Sequence, residues 1–168
     1  MLEALSCVYS SIPEDASLRL AQSVQAHRRI FVSGAGRSRL MLMAFAMRLT
    51  QMGYIAFVAG DVTTPAITAD DLLIVASASG TTHSVCHCAG VAQQCGADLF
   101  SISTCGESPL ATIHPVDVLI TAPSKTGGDD DRYPMGTLFE QALLLFLDDT
   151  VATLPFDPQI RTRHANLE

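Results

Sequence analysis

The stretch "LLIVASASGTTHSVCHCAGVAQQCG", residues 72–96, passes from an apolar run through a cluster of hydroxyls into a segment of helical length. Its opening, "LLIVAS" (72–77), has the Val, Ile and Leu content and the lack of polar alternation expected of a strand covered on both faces, as in a parallel sheet. "THSVCHCAGVAQQCG" (82–96) is long enough for a helix and ends on Gly96, a common C′ residue. Between them Ser77, Ser79, Thr81 and Thr82 surround Gly80. A buried strand that runs through a polar turn into a helix is the building unit of an α/β sandwich.

The same pattern recurs in both directions. "RIFVSG" (29–34), "IAFVAG" (55–60), "LFSIS" (99–103) and "DVLIT" (117–121) read as further strands; "RLMLMAFAMRLTQMG" (39–53), "SPLATIH" (108–114) and "TLFEQALLLFLDDTVATL" (137–154) read as helices. The expected order, βαβαβαβαβα, calls for right-handed crossovers and a five-stranded parallel sheet in a three-layer αβα sandwich of flavodoxin-like type. "KTGGDDDRYP" (125–134) reads as a polar loop beyond the carboxyl end of the last strand, where such folds place functional loops.

At 168 residues the chain is expected to form one domain, 1–168. No apolar run approaches the roughly 18 residues of a membrane span, and the start lacks a basic, signal-like region, so no membrane association and a cytoplasmic location are expected. Five cysteines, an odd number, agree with free thiols in a reducing compartment. The net charge of −7, with Lys125 the single lysine among nine arginines, argues against a nucleic-acid-binding face.

Ligands in this architecture bind outside the carboxyl ends of the strands. In "SGAGRSR" (33–39) Gly34 and Gly36 allow a tight turn, Ser38 stands at a helix start and Arg37 brings a fixed positive charge. In "SASGTT" (77–82) the hydroxyls add hydrogen-bond donors beside a helix N-terminus, whose unpaired N–H groups carry partial positive charge. Together the two turns suit a phosphate. Ser38 or Thr81 could instead simply cap its helix. The third glycine of G-x-G-x-x-G is absent, Arg39 standing in its place, and no Gly-Lys-Ser/Thr follows either turn.

"SGAGRS", "FAMRL", "DVTTP", "SASGTT", "YPMGTLFE" and the terminal "RHANLE" together resemble the 6-phospho-3-hexuloisomerases of the sugar isomerase (SIS) domain family, from about residue 28 to the end. The pairing of "PMGTLFE" with "RHANL" carries more of the likeness than the Ser/Thr loop, which the whole superfamily shares. The resemblance implies an αβα sandwich, a homotetramer built as a dimer of dimers, and interconversion of D-arabino-3-hexulose 6-phosphate with D-fructose 6-phosphate in the ribulose monophosphate (formaldehyde fixation) pathway. It implies no metal and no organic cofactor. The chain departs from the family in a shorter segment before the first strand, a short stretch between Asp148 and His164, and an acidic "GGDDD" insert.

Moving a carbonyl between C3 and C2 through a cis-enediol needs one base and stabilisation of the developing oxyanion. The resemblance implies Glu140 as that base; Thr137-x-x-Glu140 also spells a capping box, in which the carboxylate would bond back to the Thr137 N–H. A histidine in a tail is ordinarily solvated, but the family brings a C-terminal histidine into a neighbouring subunit's site, so His164 is expected to move protons between substrate oxygens or assist ring opening. Arg37 is the electrostatic partner expected for the phosphate or the enediolate. Gly36, Ser38, Ser77, Ser79, Gly80, Thr81 and Thr82 are expected to bind the substrate and its phosphate.

Cys86, His87, Cys88 and Cys95 are spaced too far around and along a helix to ligate one tetrahedral ion, and the cysteines are expected to be small, mostly buried thiols. "MLMAFAM" (41–47) reads as core or subunit interface. Two other functions stay open: an arabinose-5-phosphate-type aldose–ketose isomerase, and a non-catalytic sugar-phosphate-sensing module.

Overall fold

The computed structural model describes residues 1–123 and 133–166. Lys125 and the acidic 127–131 insert lie outside the described residues. In chain order the elements are α1 (Leu2–Tyr9), α2 (Ala16–Ala26), β1 (Arg29–Gly34), α3 (Gly36–Gln51), β2 (Ile55–Val58), β3 (Asp71–Ala76), α4 (His83–Gln94), β4 (Asp98–Ser103), α5 (Pro109–Ile113), β5 (Val118–Leu119) and α6 (Thr137–Thr153). Short 3-10 segments cover Pro134–Gly136 and Pro158–Arg163.

The five strands form one all-parallel sheet in the order β2-β1-β3-β4-β5. Successive side chains along each strand divide between two cores, as the pleat requires. Ile30, Val32, Leu72, Ile74, Phe100 and Ile102 join the larger core with α1, α2, α3 and α6. Phe31, Leu73 and Val75 point the other way, against Val85, Ala89 and Ala92 of α4 and Leu110 of α5. The result is the three-layer αβα sandwich expected from the apolar runs. Among the described residues no helix is long and apolar enough to cross a membrane.

Three local differences from the sequence reading have physical causes. The β2–β3 connection contains no helix, contrary to the alternating order. Its twelve residues "AGDVTTPAITAD" hold Pro65, which disfavours helix at the residue before it, Thr64, whose hydroxyl donates to the Val58 carbonyl at 2.6 Å, and Asp61, whose carboxylate accepts from Arg39 at 2.6 Å. The thiols of Cys86 and Cys88 are half-buried and that of Cys95, just past α4, is exposed, because Val85, Ala89 and Ala92 occupy the inward stripe of α4. α1 and α2 extend the sandwich before β1; Ala16, Leu20, Ala21 and Val24 of α2 all bury at helical spacing.

At the amino ends of β1 and β3, Arg29 and Asp71 stand in register. The Arg29 guanidinium donates to both Asp71 oxygens, at 2.7 and 2.6 Å, and the Thr68 N–H and hydroxyl add bonds of 2.6 and 2.9 Å. Burial by itself would raise the Asp71 carboxyl, but Arg29 and Thr68 together outweigh it and hold it below the ordinary carboxylate range. A carboxyl lowered on folding contributes stability that is present above its unfolded pKa and is lost as pH falls through the folded one. Denaturant titrations between pH 5 and pH 2 should therefore show a shallower acid loss for Asp71→Asn than for the unaltered chain. Equal slopes would show that this pair adds nothing to the pH dependence.

Candidate active site

In the strand order 2-1-3-4-5 the crossovers leaving β1 and β3 go to opposite faces, which opens a crevice at their carboxyl ends. A cleft of about 170 Å³ lies there, lined by Ala35, Gly36, Ser38, Ala76, Ser77, Ala78, Ser79 and Thr82. Both turns singled out in the sequence thus meet across one small space.

The helix ends at this cleft are not capped by their own side chains. α3 starts after Ala35 with no side-chain cap, and Ser38 is buried as its third residue. Thr82 occupies the N-cap position of α4, again with no side-chain cap. α5 shows the ordinary alternative, since its Ser108 hydroxyl accepts from the Ala111 N–H at 3.2 Å. The simple capping role that Ser38 and Thr81 could have played is therefore not the one they adopt. The loop hydroxyls pair with one another: Ser77 with Thr82 at 2.9 Å and Ser79 with Thr81 at 2.8 Å. Two helix N-termini, each with unpaired N–H groups and a positive dipole end, converge on a hydroxyl-lined space.

Gly80 is the tightest point of the loop. Its φ is +64°, and a Cβ there would stand 2.2 Å from the Ser108 hydroxyl oxygen. Gly80→Ala should cost about 1–3 kcal/mol of stability through this overpacking, read by denaturant unfolding. An unaltered unfolding midpoint would show that the loop can yield at this point.

Arg37 and Glu140 meet at the edge of the cleft. The Arg37 Nε–H donates to Oε2 of Glu140, and the pair is lopsided: the arginine side chain is 57% exposed and the carboxylate 4%. The backbone before α6 explains how Glu140 comes to face Arg37. Met135 (φ 61°) and Gly136 (φ 84°) are both left-handed, so Gly136 becomes the N-cap and Thr137 the first helical residue. The Thr137 hydroxyl donates back to the Pro134 carbonyl at 2.6 Å. The capping box spelled by Thr137 and Glu140 is not formed; the described N-terminus of α6 has no side-chain cap.

His164 stands elsewhere. It is exposed, with its Nδ1 atom 3.0 Å from the Ala165 carbonyl. The preceding segment is pinned to the far end of α3, where Arg163 donates to the Gln51 carbonyl at 3.1 Å and to Asp157 at 2.6 Å. The length of α3, about 24 Å at 1.5 Å per residue, separates this anchor from the cleft. The fold thus brings Arg37, Ser38, Ser77, Ser79, Thr82 and Glu140 into one region, with Gly80 and Thr81 in the same loop. It does not bring His164 there within one chain. "MLMAFAM" divides: Leu42, Phe45 and Ala46 are core, whereas Met43 and Met47 are exposed beside Leu40.

The chain belongs to the SIS domain family, whose model matches residues 24–145. It is 44% identical to the 3-hexulose-6-phosphate isomerase of Mycobacterium gastri, over 93% of this chain and 81% of that protein. It is 36% identical to the protein of the same name from Methylomonas aminofaciens, over 100% of this chain and 96% of that one. Among solved structures, a hypothetical protein of Methanococcus jannaschii, described with an inferred function of 3-hexulose-6-phosphate isomerase, matches at a TM-score of 0.84 and 28% identity. That match covers 99% of this chain and 98% of that one.

Proposed function

We propose that this chain interconverts D-arabino-3-hexulose 6-phosphate and D-fructose 6-phosphate through a cis-enediol. The observation that carries the proposal is the convergence of two uncapped helix N-termini on a hydroxyl-lined cleft, with a buried carboxylate paired to an arginine at its edge. The names of the relatives supply the substrate class.

The phosphate binds against Gly36, Ser38, Ser77, Ser79, Gly80, Thr81 and Thr82, where dipoles and hydroxyls hold a dianion without a lysine. Glu140 takes the proton from C2 of the 3-hexulose. The electrons form the C2–C3 double bond of the enediolate, and the former carbonyl oxygen at C3 gains the negative charge. Arg37 stabilises that charge electrostatically. Return of the proton to C3 and transfer of the hydroxyl proton from O2 to O3 complete fructose 6-phosphate. These steps call for no metal or organic cofactor.

We extend the proposal to a cytoplasmic homotetramer, a dimer of dimers of single-domain chains (1–168), in which His164 serves a neighbouring subunit's site and moves the proton between O2 and O3. The reaction belongs to the ribulose monophosphate route in this account. Incubation with fructose 6-phosphate tests the substrate assignment by product analysis. A 3-keto hexose phosphate is the expected product; an aldose phosphate would favour the arabinose-5-phosphate type, and binding without turnover the sensing module.

A further inference from the structure

The loop hydroxyls of Ser77, Ser79 and Thr82 line the cleft. The back of the same loop is held by residues that the sequence reading placed only in a strand and its flank. The Ala78 carbonyl accepts from the Thr104 N–H at 3.0 Å, the Thr104 hydroxyl at 2.7 Å and the Ser103 hydroxyl at 3.2 Å. Ser103 is fully buried, and its oxygen also accepts from the Cys105 N–H at 3.1 Å. Two residues further on, the Gly80 carbonyl accepts from the Leu110 N–H at 3.0 Å.

A trans peptide unit is planar, with its C=O and N–H pointing in opposite directions. Fixing the Ala78 carbonyl towards β4 therefore fixes the Ser79 N–H away from β4, on the side of the cleft that Ala78 and Ser79 line. The Thr81 N–H, by contrast, is already engaged, donating to the Ser79 hydroxyl oxygen at 3.2 Å. Backbone donors that are already aimed need no reordering when an anion arrives, and such preorganisation raises affinity.

Resting on the phosphosugar assignment above, we propose that Thr104 and Ser103 are positioning residues that hold the Ala78 carbonyl and so aim the Ser79 amide at the substrate's phosphate. Neither side chain touches the reacting carbons, so their loss acts on binding and leaves the chemical step alone.

The test compares Thr104→Val, which keeps side-chain shape and removes the hydroxyl, with Thr104→Ser, which restores it. Ser103→Ala is the second deletion, on the buried side of the same carbonyl. KM and kcat for fructose 6-phosphate are measured together with the Kd of inorganic phosphate by calorimetry. We expect Thr104→Val and Ser103→Ala to raise KM and the phosphate Kd together by about five- to tenfold with kcat within twofold of the unaltered chain, and Thr104→Ser to return both constants close to the original. A lowered Tm with unchanged phosphate Kd would overturn the proposal in favour of a purely structural role, as would equal losses in Thr104→Ser and Thr104→Val. If the unaltered chain binds phosphate but does not turn over fructose 6-phosphate, the isomerase assignment fails, while the phosphate Kd of the variants still decides the positioning role.

Discussion

Glu140→Gln is expected to lower kcat about a thousandfold, within the span of roughly 10²–10⁴ that a positioned general base contributes. The side chain keeps its volume and loses its capacity to take a proton. Folding should survive, because the carboxylate is not part of a helix cap and its partner Arg37 is half open to solvent, where an unpaired guanidinium remains hydrated. The unfolding midpoint and the progress curve of the same preparation check both halves of this expectation. Turnover equal to the unaltered chain would remove Glu140 from the mechanism and leave Arg37 with a purely structural partner.

Deleting residues 161–168 is expected to abolish turnover while the chain still folds. Among the described residues, the segment lies beyond the last one that packs on the larger core, Ile160. Among the described residues its deletion breaks the Arg163 bonds to Gln51 and Asp157, and takes no buried apolar side chain. The anchor before His164 is about the length of α3 away from the cleft of its own chain, so the proposed role requires His164 to act in a neighbouring subunit's site. Mixed oligomers test that directly: Glu140→Gln and His164→Asn chains, each inactive alone, should regain measurable activity when their subunits exchange, since some shared sites then hold one intact copy of each residue. An active truncation would refute any role for His164. Mixtures that remain inactive would refute its action across the boundary.

The fold was legible because apolar content and strand length coincide in this sequence. All six residues of β3 are buried, and the apolar run before the Ser/Thr loop marks them to within one position. The helix-free β2–β3 crossover was less legible, since nothing in a twelve-residue spacer says that Thr64 will bond the Val58 carbonyl or that Asp61 will pair with Arg39. α2 carried a readable stripe in Ala16, Leu20, Ala21 and Val24, although short alanine-containing repeats declare themselves weakly.

The site was legible to a different degree at each residue. The two turns could be placed on one rim because each follows a strand of a parallel sheet, whose carboxyl ends share one edge. The role of Glu140 could not be separated from a helix cap, since Thr-x-x-Glu serves both. What separates them is the left-handed pair Met135 and Gly136, which moves the helix start by one residue and turns the carboxylate to Arg37. Thr104 and Ser103 were invisible because they act through a backbone carbonyl, and no side-chain pattern reports that. His164 was marked by its terminal motif alone; nothing local to it in one chain points to chemistry.

Hydrogen exchange with solvent reads most directly the proposed enediol shared between C2 and C3 of a hexulose phosphate. In D2O, fructose 6-phosphate incubated with the unaltered chain should yield 3-hexulose 6-phosphate carrying deuterium at C2, and the recovered fructose 6-phosphate should gain deuterium at C3. Label confined to C1, or the absence of both the 3-keto product and C3 label at saturating substrate, would contradict it.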